Sequence, residues 1–140
     1  MQPTPFEETR SQPLLSDDDI GGRVAALVGR AQQRAIWLLF LDSAHVQLPV
    51  VLPFGDPPLT PDDSDCGAWA GLMASVAEGT GARSVIVVVE RYGSPNFGAP
   101  DRAWARFIAN GCGEAALPLR AVVLSHRRGV RTVPPDEYVG

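Results

Sequence analysis

The sequence predicts an α/β fold: a mixed sheet in a three-layer sandwich, with element order α-β-β-α-β-α-β and room for a short final strand. Two observations carry this. Three short apolar runs, Ile36–Leu41, Val85–Val89 and Ala121–Leu124, have strand length and lie between stretches with helical spacing of apolar residues. The later runs are separated by helical patterns, which suits parallel pairing with helical crossovers. The first run is followed within a few residues by another apolar segment, which suits an antiparallel hairpin. Helices and a sheet in this order pack as layers.

Residues 1–15 hold three prolines and little periodicity, and read as a mobile arm. Phe6 and the pair Leu14–Leu15 are available to dock on the body or on a partner. The single domain is expected over 16–135, with a short tail at 136–140. The first helix is expected to begin at Ser16 or Asp17, because Asp17, Asp18 and Asp19 suit the positive end of a helix dipole. Ile20, Val24, Leu27 and Val28 then share one helical face.

Arg34–Asp42 reads as a strand, with Ser43–Ala44 as the turn into a second strand over His45–Phe54. Pro49 and Pro53 place that second strand at a sheet edge or a bulge, since proline donates nothing to a ladder. Gly55–Asp65 is too rich in Pro and Asp for regular structure. A second helix follows, capped by Ser64 or Asp65, with Trp69, Leu72, Met73 and Val76 inward and Gly79 and Gly81 ending it.

The run Val85–Val89 is β-branched and lacks polar alternation, the pattern of a central strand covered on both faces. A third helix is expected near Asp101, burying Trp104, Phe107, Ile108 and Cys112. Pro118 precedes a strand over Leu119–His126. A turn at Arg127–Gly129 and a short returning strand, Val130–Val133, complete the domain.

Composition excludes several function classes. All 12 basic residues are arginine, which together with abundant Ala, Gly, Pro and Val suggests a high-GC bacterial genome. The net charge of -4 argues against general nucleic-acid binding, which draws on clustered positive charge. No apolar run is long enough to span a bilayer, and the acidic N-terminal stretch is no secretory signal, so a cytoplasmic protein without membrane contact is expected. The nucleotide-loop, nucleophile-elbow and zinc-protease signatures are missing. His45, Cys66, Cys112 and His126 contain no local chelating pair, so no metal and no cofactor are expected. Cys66 falls at a helix start, where thiols turn reactive, but the acids Asp63 and Asp65 beside it oppose that; Cys112 reads as core.

Two places remain for function. The first is the loop after the central strand, with Glu90, Arg91, Tyr92 and Asp101 as ligand-binding candidates, because ligands gather beyond the carboxyl ends of parallel strands. The structural alternative is a solvated loop in which Glu90 pairs with an arginine and Asp101 caps the helix. The second is the edge strand. There Val46, Leu48, Val50 and Leu52 are interface candidates, because an apolar edge invites a partner. A charged turn at His126–Arg131 and an acidic stretch at Asp56, Asp62, Asp63 and Asp65 read as solvated, though the first has the charge to grip a phosphate or an acidic partner and the second the oxygens for a hard cation, without the EF-hand order.

The segments IWLLFLDSAHVQLPVVLPFGDPP, ARSVIVVVERYG, DRAWARFIANG and LPLRAVVLSHRRGVRTV resemble small α/β domains of actinobacteria, a likeness that implies no activity. The same order of hairpin, helix, central strand, Pro- and Gly-bearing loop, helix and strand resembles, more distantly, the RadC/JAB (MPN) metalloprotease-like domain. That resemblance places the family's two histidine ligands near Glu90–Arg91–Tyr92, where neither is His. It places the family's aspartate near Asp101, about two residues early. It therefore implies a member without metal, of the scaffold kind. The function expected is a non-catalytic protein-binding or scaffold module, with a protein partner or a second copy of the chain. The alternative is a small-molecule enzyme or sensor at the 90–101 loop.

Overall fold

The computed structural model describes residues 12–138. Helix α1 (Asp17–Leu27) leads into strands β1 (Ala35–Leu41) and β2 (Gln47–Gly55). Then come α2 (Cys66–Thr80), β3 (Ser84–Glu90), α3 (Ala99–Ala115), β4 (Leu119–His126) and β5 (Gly129–Val133). The strands form one sheet in the order β2-β1-β3-β4-β5. Only β3 and β4 are parallel neighbours; β1 runs antiparallel to both β2 and β3, and β5 antiparallel to β4. The fold is thus the α/β sandwich with a mixed sheet that the apolar runs indicate, and the short last strand is present.

Alternation along the strands sends side chains to two faces. Ile36, Leu38, Phe40, Val85 and Val87 meet Met73 of α2 and Trp104, Phe107 and Ile108 of α3. Trp69 stacks with Phe54, Trp104 and Phe107 in one aromatic cluster on this side. Leu39, Leu41, Ile86, Val88 and Val123 meet Ile20 and Val24 of α1 on the other face. Strand β3 is buried along its whole length because it has a helical layer on each side and a strand on each flank.

Three helix boundaries have a local cause, whereas α2 starts without the side-chain cap expected from Ser64 or Asp65: it continues a 3-10 turn, Asp63–Asp65, that Asp62 caps. Ser16 accepts from the Asp19 amide while Asp19 accepts from the Ser16 amide, a reciprocal cap that starts α1. Helix α2 ends at Gly81, which takes the left-handed conformation; Gly79 lies inside the helix rather than at its end. Helix α3 begins at Ala99, two residues before Asp101. Pro100 sits in its first turn, where a missing N–H costs nothing, and the Asp101 side chain turns back to accept from the Gly98 amide.

The arm contributes to the body where it is described. Leu14 is buried against the α1 face, its amide donates to the His45 carbonyl, and Pro13 bridges Val46 beside the start of β2. Leu15 is exposed, and Phe6 lies outside the described residues. At the other end Tyr138 is buried beyond the expected limit of the domain, against Val133 and Phe97. The turn between β1 and β2 spans more than Ser43–Ala44. Asp42 accepts from the Ala44 and Val46 amides, and His45 takes a positive φ of 64°. Among the described residues no helix is long and apolar enough to cross a membrane.

Candidate functional site

The antiparallel register of β1 and β3 sets Ala35 opposite Glu90, so the start of β1 lies beside the end of β3. A cleft of about 250 Å³ opens there. Arg34, Pro57, Leu59, Tyr92, Asp101 and Trp104 are among its walls. Leu59 and Tyr92 are 62% and 63% exposed, two of the three exposed large apolar side chains among the described residues, and both flank this cleft.

Glu90, Arg91, Tyr92 and Asp101 all line the cleft, yet their polar atoms do not converge. Along β3 successive side chains alternate between faces. Glu90 follows Ile86 and Val88 to the α1 face, where its carboxylate accepts from the Gln32 amide at 2.9 Å and from the Trp37 indole at 2.9 Å. The carboxylate is buried without a cation, and these two donors stand in for water. The Tyr92 hydroxyl donates to the Gln32 carbonyl. Glu90 and Tyr92 thus grip both polar groups of one peptide unit's flanking residue in the α1–β1 connection.

Arg91 turns the other way, to α3. Its guanidinium meets the Asp101 carboxylate at 2.8 Å and 3.1 Å in a forked ion pair. It also donates to the carbonyls of Ser94 at 2.6 Å and Asn96 at 2.7 Å. One cation therefore holds the loop around itself. Gly93 makes this possible: its φ of 116° is a conformation side-chain-bearing residues rarely adopt, and a Cβ there would stand 3.4 Å from the Arg91 Nη1. Asp101 completes its coordination with the Gly98 amide.

A divalent metal does not fit these residues. Both Glu90 oxygens and the Asp101 oxygens already accept from the chain, and a guanidinium stands against Asp101. Among the described residues no three His, Cys, Asp or Glu side chains gather into a possible metal site. The thiols are poor nucleophiles. Burial, then Glu114 and Asp63, push the Cys66 thiol up from its ordinary value, and burial pushes Cys112 up to about 12. Cys112 lies 3.6 Å from the Met73 sulfur, in the core.

Arg34 and Trp104 belong to the cleft although nothing in their local sequence marks them. Arg34 donates to the carbonyls of Pro57 and Pro58, and the Trp104 indole donates to Pro58, so the two tie the acidic loop down over the cleft. Their placement follows from strand pairing and from a loop folding back, neither of which has a periodic signature.

Leu48, Val50 and Leu52 lie on β2, which borders the sheet, and Val46 precedes it, since the strand begins at Gln47 rather than His45. Leu48, Val50 and Leu52 are half-buried and pack against the α2–α3 layer, while Val46 is half-buried beside Pro13. Pro49 and Pro53 are exposed and remove two ladder donors, which blunts this edge as a template for a further strand.

At the end of β4 sits His126, buried, with its Nδ1 accepting from the Arg128 amide. Burial first, then Arg91, Arg131, Arg128 and Arg127, hold its pKa below the ordinary imidazole value. No protein-family model matches the chain, and no curated protein is significantly similar to it.

Proposed function

We propose that the chain is a non-catalytic protein-binding module in which the 90–101 loop is a structural brace rather than a reaction centre. The observation that carries this reading is that Glu90, Arg91 and Asp101 are all engaged by other groups of the chain. A general base needs a lone pair turned toward substrate, and an electrophilic arginine needs free donors. Here both carboxylates accept from main-chain amides, the indole and the guanidinium. Binding energy at such a surface comes from shape and exposed side chains instead, and Tyr92, Leu59 and the half-exposed face of β2 supply them.

A second reading has one observation in its favour. Two exposed apolar side chains flanking one cleft also suit a small apolar ligand held without chemistry or with it.

The test pairs light scattering of the purified chain with affinity capture from a lysate of the organism that encodes it. Each is repeated with Val50→Arg and, should that variant not fold, with Pro49→Arg at the exposed edge. The expected result is a stoichiometric protein or a second copy that the wild type retains and the variant loses. A monomer that retains no protein, and whose folded state is stabilised by small metabolites in a Glu90-dependent way, would favour the ligand reading.

A further inference from the structure

We infer that the end of the sheet at the β4–β5 turn is a docking surface for an acidic segment of a protein partner, recognised by Arg30, Arg127 and Arg128. The inference rests on the protein-binding reading and names the chemistry of the partner.

Three separate pieces of chain meet there. Ser125 Oγ donates to the Gly29 carbonyl at 2.6 Å, and the Ala31 amide donates to the His126 carbonyl at 2.8 Å. These two bonds straddle Arg30 and fix its backbone alongside the end of β4, where the turn bearing Arg127 begins. The Arg127 amide donates to Gly93, joining the 90–101 loop to the same corner. Arg30, Arg127 and Arg128 are all exposed.

Charge is concentrated here against the trend of the molecule. Acids outnumber arginines 16 to 12, so an arginine has no shortage of carboxylates to pair with. Arg91 pairs with Asp101, Arg120 with Asp17 and Arg131 with Glu137. Among the described residues no carboxylate forms an ion pair with Arg30, Arg127 or Arg128. Burial first, and then the charges of Arg91, Arg131, Arg128 and Arg127, disfavour a proton on His126 at the same corner. The nearest buried acid, Glu90, is turned inward onto the Gln32 amide and the Trp37 indole, so the exposed guanidinium groups of Arg127 and Arg128, with Arg30 on the adjoining segment, leave a positive surface that favours an anionic partner.

The corner suits carboxylates spread along a chain better than one compact phosphate. Phosphate sites commonly use a nest of main-chain amides. Here both turn amides are spent, that of Arg127 on the Gly93 carbonyl and that of Arg128 on the His126 imidazole. What remains is a set of side-chain forks on two segments, Arg30 on one and Arg127 and Arg128 on the other, each able to grip a carboxylate bidentately.

The test is fluorescence anisotropy of a labelled hexaglutamate peptide with the full chain. The peptide is expected to bind in low salt and to weaken several-fold between roughly 50 and 300 mM NaCl, as screening shortens the reach of exposed charge. Arg127→Glu/Arg128→Glu is expected to weaken binding by about tenfold or more, and Arg30→Glu by a smaller factor. Arg83→Glu, exposed at the opposite end of β3, should leave it unchanged, and thermal unfolding confirms that each variant folds. Equal loss with Arg83→Glu would mean that only net charge is sensed, and would overturn the proposal. So would inorganic pyrophosphate binding more tightly than the peptide, which would assign the corner to a phosphate. If the peptide does not bind but the chain still captures a protein through β2, this inference fails and the binding-module reading stands.

Discussion

Replacing Arg91 with Met tests whether the loop is braced by its own cation. The side chains of Arg91 and Asp101 are 14% and 10% exposed, so the pair is largely withdrawn from water. Removing one member of such a pair leaves the other unpaired, at a cost of about 3–5 kcal/mol for a well-buried pair. Asp101 keeps the Gly98 amide, which offsets part of this. The Ser94 and Asn96 carbonyls also lose their donor, but Asn96 is exposed and water can replace much of that loss. The net destabilisation is about 3–4 kcal/mol, a large part of the ~5–15 kcal/mol by which a small domain is stable. Arg91→Lys should recover little of it, because an ammonium cannot fork to Asp101 and reach two carbonyls as well. Urea unfolding followed by circular dichroism reads the change as a lower midpoint at constant slope. A double-mutant cycle with Asp101→Asn should show coupling on the order of 2 kcal/mol. A loss below about 1 kcal/mol for Arg91→Met would refute the brace and leave the guanidinium free for a ligand.

Three further outcomes follow from the same structure. Val87→Ala, at a fully buried position of β3, should cost about 1–3 kcal/mol in urea unfolding, and a change under about 0.5 kcal/mol would place the strand outside the core. Gly93→Ala should cost about 1–3 kcal/mol by the same assay, because the 116° φ is strained for any L side chain and the new methyl crowds Arg91; an unchanged midpoint would mean the loop has another low-energy path. His126 has a folded pKa held below the ordinary 6.5, so as pH falls the unfolded chain takes up the proton first. Its contribution to stability is therefore complete above about pH 6.5 and is lost as pH drops through the lower folded value; His126→Gln should flatten that part of the stability–pH curve, and an identical curve would remove His126 as its cause.

Much of the fold is legible in the sequence because burial on two faces leaves a plain mark. The unbroken Val85–Val89 run identifies the central strand, and Pro49 and Pro53 identify the edge. Strand order is less legible. Strand β1 sits between β2 and β3, so β2 and β3 run parallel without touching; nothing in IWLLFL says which neighbour takes its second edge. The 90–101 loop can be located from the strand that feeds it, but its roles cannot. Glu90 finds Trp37 from 53 positions away, and Arg91 binds main-chain carbonyls whose direction depends on the Gly93 conformation. Arg23 is the clearest omission. It is buried on the inner face of α1 beside Ile20 and Val24 and donates to the Gln47 side chain at 2.6 Å. Its spacing of three from Ile20 puts it on that face, but a charged residue on an apolar stripe reads as an interruption until its partner is known.

The claim that Glu90, Arg91 and Asp101 serve the fold rather than a reaction is tested most directly by side-chain nitrogen NMR of the native chain. The Arg91 Nε–H and the Trp37 indole N–H are predicted to give sharp, distinct signals that exchange slowly with water, because each is held in a hydrogen bond to a withdrawn carboxylate. An Arg91 signal merged with the exposed arginines, or a Trp37 indole exchanging at the rate of an unstructured peptide, would contradict it.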